Sequence, residues 1–425
     1  MKIFDLTHAY QPLFHPPDFV PSLVEKNLTE IYLPLSLAMR KGLVRRGLQL
    51  QGWTIEAWLA ADDPIRGLAL ETLTNLKEAC QRGNIEIGVS GYSHPIFPLL
   101  SDEVIKREVV EDLAVVAKFL GKPTWFWFPE GAVDQRSLTT VHKVAPDLAV
   151  VIPDGVLGKR QFSGFVKIKF ADGNFQRAIV CNTLLKDIFM NAEDYQSKPP
   201  YAPEDLDWDA ALQATHSGKD FVALLKALNS SEEIVLARDL ENAGSKYGLA
   251  EFEERVKEVR GLAEAKLGFS SEARKGSRPD VASGRIRFAL PGEIDWEATP
   301  TVGVEEVKAS SWEPAAKEDD SYPYWAPRHP SQPTAKIIKA WERFVETFNR
   351  LYRPDFPKES LITLASDVPW HFLGKKEWHP NPQHSAEFAR RVILPVVREI
   401  GIPDLTKAAE KLSKVVDDFI KENGT

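Results

Sequence analysis

Short apolar runs alternate with amphipathic stretches along the chain through residue 265. Runs of strand length stand at 2–6, 48–51, 85–89, 125–128, 148–152, 175–180 and 234–237. Between them apolar residues recur at helical spacing over 23–40, 64–81, 103–120, 135–144, 219–228 and 251–264. In the third of these, Val104, Val109, Leu113, Val116 and Leu120 trace one buried helix face. Regular alternation of strand and helix predicts a parallel sheet covered by helices. About seven strands favour a barrel, complete or incomplete, over an open sheet.

The pattern breaks between residues 268 and 333, which are rich in Ser, Gly, Pro and acidic residues. This stretch is expected to be loop, with a hairpin at 285–290. It carries Trp296, Trp312, Tyr322, Tyr324 and Trp325, and long irregular segments inside a domain are often binding loops. Helical spacing returns at 334–352, 383–399 and 406–422. The expected organisation is a barrel over 1–267, a cleft-forming insert over 268–333, and a helical bundle over 334–425.

Composition narrows the classes of function. A net charge of −8 over 425 residues argues against a nucleic-acid-binding surface. No run of 18 apolar residues is present, so no membrane span is expected. The opening residues lack a charged-then-apolar leader, which points to the cytoplasm. Cys80 and Cys181 make neither a disulfide framework nor a metal pair. With 30 Pro against 3 Met, the composition suits a thermophile.

Chemistry in a parallel barrel lies at the carboxyl ends of the strands. Three acidic residues stand in or just after strands: Glu130 behind the run ending at Pro129, Asp239 behind 234–237, and Glu86 inside 85–89. Pro129 cannot donate a ladder bond, so the strand should stop there and present Glu130 at an aromatic mouth. Glu130 reads equally as a glutamate at a helix start, and Asp239 as a helix N-cap. Two carboxyl groups facing each other across a glycosidic bond would make the pair catalytic. His8, His94 and the Ser366–His371 stretch also follow strand-like or loop positions and could meet sugar hydroxyls.

An ordered series of short motifs then resembles family 57 of the glycoside hydrolases. His8, Gln11 and Pro12 resemble a first His-x-His-Gln-Pro motif, with Tyr10 in place of the second His. Gly83 to Glu86 resembles the second, with a segment Ser93 to Leu100 after it. Trp127 to Glu130 resembles Trp-x-Pro-Glu, and Ala237 to Asn242 resembles the fourth motif. Ser311 and Trp312 resemble a Gly-Ser-Trp loop element. Ser366, Asp367, Trp370, Phe372 and Leu373 resemble Ser-Asp-Trp-x-Phe-Leu with two residues inserted.

This resemblance implies an α/β fold, an incomplete (β/α)7 barrel with a C-terminal α-helical domain. It implies a retaining mechanism on α-linked glucans, amylase-like, with Glu130 as nucleophile and Asp239 as general acid/base of raised pKa. His8, Gln11, Glu86, His94, Trp127, Trp312, Asp367 and Trp370 are then expected to bind an oligo- or polysaccharide. No metal or cofactor is expected, and the sequence carries no signal for oligomeric state. Branching enzymes, glucanotransferases and α-galactosidases of the same family are the alternatives, with a non-catalytic carbohydrate-binding relative behind them. A metal-dependent deacetylase needs a helical His-x-x-x-His pair. His379 and His384 are five apart and interrupted by Pro380 and Pro382.

Overall fold

The runs rich in β-branched and aromatic residues pair side by side, because each buries both faces. In the computed structural model they are β1 (Lys2–Ala9), β2 (Arg46–Leu50), β3 (Ile85–Val89), β4 (Trp125–Trp127), β5 (Ala149–Pro153), β6 (Gly164–Lys169), β7 (Phe175–Cys181), β8 (Glu233–Asp239), β9 (Arg287–Ala289) and β10 (Thr301–Gly303). The structure describes residues 2–10, 21–158, 164–181, 233–240, 287–312, 321–322, 325–327, 332–366, 369, 371–372 and 382–423. Strands β8, β1, β2, β3, β4, β5 and β7 form a parallel array in that order. Those are the seven expected strands. The helices predicted at 219–228 and 251–264 lie outside the described residues.

Three further strands were not expected. β6 runs antiparallel to β7, and β10 lies parallel beside β6. Of the hairpin expected at 285–290, residues 285 and 286 lie outside the described residues, and 287–289 form β9. β9 pairs parallel with the first residues of β1, and Arg45 donates to Phe288 O at 3.2 Å to hold it there. A three-residue strand carries too little pattern to be told from loop.

Side chains alternate across the sheet with a period of two. Phe4, Leu6, Trp125, Trp127, Ala149, Val151, Ile179, Val235 and Ala237 fill the concave interior. Their neighbours Phe126, Phe128, Val150, Ile152 and Val180 face the covering helices. Trp125 fits because both neighbouring positions are glycine. A Cβ on Gly88, its register partner, would stand 2.5 Å from the indole, and one on Gly47 would stand 3.2 Å from it.

The covering helices are α1 (Pro21–Asn27), α2 (Leu33–Arg40), α3 (Gly52–Ala60), α4 (Ile65–Gln81), α5 (Asp102–Phe119) and α6 (Gln135–Val144). α3 went unread in the sequence because it follows β2 without a break and is apolar nearly all round. Asp134 caps α6 reciprocally with Ser137. The C-terminal helices are α7 (Gln332–Leu351), α8 (Pro382–Phe388), α9 (Leu394–Ile400) and α10 (Pro403–Asn423). Trp341, Phe344, Phe348, Leu405 and Leu412 of this helical region join the same core that backs the barrel. Asn349 on α7 accepts from Ser101 N at 3.0 Å and donates to Leu99 O at 2.8 Å, which ties the helices to the loop before α5.

Gly88→Ala should destabilise the fold by about 1–3 kcal/mol, since the methyl must displace a buried indole. Gly67→Ala, on the exposed side of α4, should stabilise it by about 0.5–1 kcal/mol through helix propensity alone. Urea midpoints of the two variants check both signs.

Candidate active site

The polar residues of the interior collect at the carboxyl ends of the parallel strands. Register sets His8 level with Gln49 on β2 and with Asp239, the last residue of β8. His8 Nδ1 donates to Gln49 Oε1 at 2.7 Å, and this fixes the ring. Four rings then stack in a column. Tyr10 lies 4.5 Å from His94, His94 lies 4.7 Å from His8, and His8 lies 5.3 Å from Trp127, all within 18° of parallel. Trp312 meets Trp127 edge-on at 4.8 Å. Such pairs contribute about 0.5–1.5 kcal/mol each beyond their burial.

Among the described residues only His94 and Glu130 are non-glycine residues with positive φ, at 61° and 55°. Left-handed backbone costs a side-chain-bearing residue on the order of 1–3 kcal/mol and persists only where the surroundings enforce it. Both residues are at this rim. At Glu130, Gly131 N donates to Phe128 O and Trp312 N donates to Glu130 O at 3.0 Å. The Val133 and Ser310 backbones bridge just beyond. The turn lifts the Glu130 side chain to 25% exposure in a rim that is otherwise nearly dry.

Ser366 connects the two strained residues. Its N–H donates to His94 O at 3.1 Å. Its hydroxyl donates to Glu130 Oε1 at 3.4 Å, and His94 Nδ1 lies 3.1 Å from Ser366 Oγ. A serine has one hydroxyl hydrogen, so with that given to the carboxylate its lone pairs take the imidazole N–H. His94 Nδ1 is itself 3.7 Å from Glu130 Oε1.

The loop carrying His94 is held from below by two carboxyl groups on α5. Ser90 N and Gly52 N donate to the two oxygens of Asp112 at 2.6 and 2.5 Å. Ser93 N donates to Glu108 Oε2 at 2.9 Å, and Ser93 Oγ lies 2.7 Å from Glu108 Oε1. Both acids are fully buried. Burial pushes Glu108 up to about 8, with the Asp112 charge adding to it, and burial pushes Asp112 up to about 7. Backbone N–H groups can only donate, so Asp112 must offer two acceptor oxygens. The Ser93 hydroxyl can donate or accept, so the proton the pair retains belongs on Glu108.

The expected site residues do not all converge. His8, His94, Glu130, Trp127 and Trp312 do, and the Asp239 backbone stands beside His8. Gln11, Asp367 and Trp370 lie outside the described residues. Glu86 is at the other end of the barrel and is corrected from a substrate-binding position. It is level with Gly47 and Leu6, two steps short of His8 along strands that rise about 3.3 Å per residue. There it accepts from Thr124 Oγ1 at 2.9 Å and Gly292 N at 3.0 Å, and burial raises its pKa. It closes the amino end of the barrel.

Sequence reasoning missed three residues here. Asp154 directly follows β5 and is fully buried, with Gly155 N donating to its Oδ1 at 3.0 Å. The rule that selected Glu130 and Asp239, an acid just past a strand, would have found it. Glu108 and Asp112 had a signal too, as acids set within the apolar stripe of α5. Among the described residues no group of three His, Cys, Asp or Glu is placed to hold a metal ion. Nor is any helix among them long and apolar enough to cross a membrane.

Free in an unfolded chain, Glu108 and Asp112 would ionise near pH 4 (about). The native state therefore holds more protons than the unfolded one from about pH 4 to about pH 8. Stability from this pair is fully present on the acid side and falls as pH rises through that window. Relative to Glu108→Gln, the wild type should lose unfolding free energy between about pH 5 and about pH 8. Urea titrations across that range test this, and a difference independent of pH would place the proton elsewhere.

Comparison with known proteins gives the site a context. Residues 65–165 match the model of the family described as Glycosyl hydrolase family 57. That segment contains β3, the His94 loop and Glu130, so the resemblance read from the motifs is matched where the strained residues lie. No curated protein matches the chain in sequence. The fold is similar to the GH57-type branching enzyme from the hyperthermophilic archaeon Pyrococcus horikoshii, at 17% identity and a TM-score of 0.56 over 98% of this chain and 94% of that one. It is also similar to the alpha-amylase AmyC from Thermotoga maritima, at 14% identity and a TM-score of 0.52 over 99% and 97% of the two chains. At these identities the likeness is one of fold: a barrel-like parallel sheet with a C-terminal helical region.

Proposed function

We propose that the chain is a retaining glycoside hydrolase or transglycosylase acting on α-linked glucans, with Glu130 as nucleophile and Asp239 as general acid/base. The observation that carries this is the Glu130 carboxylate, raised on a left-handed turn at the carboxyl end of β4 and held by a serine and a histidine. The family match over 65–165 and the fold of a branching enzyme and an amylase support it. Asp239 closes β8 two positions after the interior residue Ala237 and in register with His8.

In this scheme Glu130 attacks the anomeric carbon while Asp239 gives its proton to the departing glycosidic oxygen. A glycosyl ester on Glu130 results. Asp239, now a carboxylate, takes a proton from water or from an acceptor hydroxyl, and that oxygen displaces Glu130. Two displacements restore the starting α configuration. The Ser366 hydroxyl stabilises the Glu130 anion and keeps its other lone pairs free for attack. The packed column of Tyr10, His94, His8 and Trp127 walls the rim with rings and leaves little room for bulk water. Hydrolysis or transfer follows from which hydroxyl reaches the ester first.

Glu130→Gln should lower kcat/KM on α-glucans by about 10³-fold or more without changing the melting temperature, because the amide is isosteric and a poor nucleophile. Asp239→Asn should cost roughly 10²–10⁴-fold on glucans and much less on aryl glycosides, whose leaving groups need little protonation. Steady-state rates with product analysis on both substrate types measure this. Wild-type rates for Glu130→Gln on every α-glycoside would overturn the assignment.

A further inference from the structure

The loop at 90–94 is fastened to several parts of the molecule. Ser90 and Ser93 are bound to α5 as described. Tyr92 Oη donates to Glu56 Oε2 on α3 at 2.6 Å, and Lys358 Nζ donates to the same oxygen at 2.6 Å. Ser90 Oγ donates to Trp127 O at 2.7 Å, which joins the loop to the end of β4. His94 then emerges with φ of 61°. Of these anchors, only Glu108 and Asp112 take the loop's own backbone N–H groups.

We propose that Glu108 and Asp112 are positioning residues for the site: by accepting the N–H groups of Ser93, Ser90 and Gly52 they set the turn that presents His94, and through His94 and Ser366 the carboxylate of Glu130. A helix face that packs against a sheet gains nothing from two buried carboxyl groups, which cost several kcal/mol each to desolvate unless hydrogen-bonded. Here no cation pairs with either among the described residues. Their four contacts go to the loop after β3 and to the first residue of α3. The two acids stand one helical turn apart, and the N–H groups they accept stand three residues apart in the loop, so the rigid helix serves as a template for a strained segment. The left-handed backbone at His94 is enforced by this pairing together with Ser366.

The donor pattern makes distinct predictions for the two acids. Glutamine at 108 keeps an acceptor for Ser93 N and offers an N–H to Ser93 Oγ, as the protonated acid does. Asparagine at 112 has one oxygen for two N–H donors, so one buried donor loses its partner. The link to turnover rests on Glu130 being the nucleophile, so the test carries a second readout that does not depend on activity. Glu108→Gln, Glu108→Leu and Asp112→Asn are compared for kcat and KM on an α-glucan, and for the ring signals of isotopically labelled His94, which its stacking between Tyr10 and His8 shifts upfield. Melting curves establish that each variant is folded, and Asp112→Asn alone suffices if Glu108→Leu is not.

Asp112→Asn and Glu108→Leu are expected to lower kcat by about tenfold or more at nearly constant KM and to move the His94 signals. Glu108→Gln is expected to keep kcat within about threefold and the signals in place. His94 signals in folded Asp112→Asn identical to wild type would overturn the proposal, whatever the rates. If the wild type turns over no α-glucan, the reading of Glu130 fails by itself, and the His94 signals still decide the positioning role.

Discussion

The left-handed backbone at Glu130 is the constraint on which the rest of the site depends. β4 stops pairing at Trp127, and Pro129, which has no N–H to donate, cannot extend it before the turn at Glu130. The turn taken here is one a glutamate disfavours, and it survives because the chain is fastened on both sides of it. Gly131 lies so close to the Trp312 backbone that a Cβ there would stand 3.2 Å from Trp312 N. Trp312 N in turn holds the Glu130 carbonyl. Trp312 thus takes part in the site by clamping the backbone of the acid, as well as by lending a ring to the interior.

His94 faces the same difficulty in the loop after the neighbouring strand and is held by different means. Its loop hangs on the buried acids of α5, its carbonyl accepts from Ser366, and its ring is stacked between two others. Two strained residues that follow adjacent strands therefore meet over a serine that comes from the C-terminal region. The strain at each is small against the burial of the surrounding rings, where about 200 Å² of apolar surface is worth about 5 kcal/mol. The helical region is bound into the same core as the barrel, so the position of Ser366 is set by packing far from the rim.

Much of this arrangement was legible in the sequence, for identifiable reasons. The seven parallel strands announce themselves because a strand buried on both faces is apolar nearly throughout, as in the runs at 125–128 and 148–152. Glu130 is legible because Pro129 marks the strand end. β9 and β10 are not, since three residues carry no period, and β9 owes its place to Arg45 and to the open half of the β1 edge. Glu86 misleads because a strand shows its acid without showing which end faces the site; only register distinguishes the amino rim from the carboxyl rim. Glu108 and Asp112 were passed over because the apolar stripe around them reads as an ordinary buried face, and the acids within it signify only once their partners are known.

Retention through Glu130 requires a covalent bond to that one carboxylate. A fluorinated α-glucosyl substrate with an activated leaving group slows release of the ester far more than its formation, and mass spectrometry of the digested protein then locates the adduct. The expected result is a single glycosyl adduct on the peptide containing Glu130. An adduct on another residue, or turnover of the same substrate with inversion at the anomeric carbon and no adduct, would contradict it.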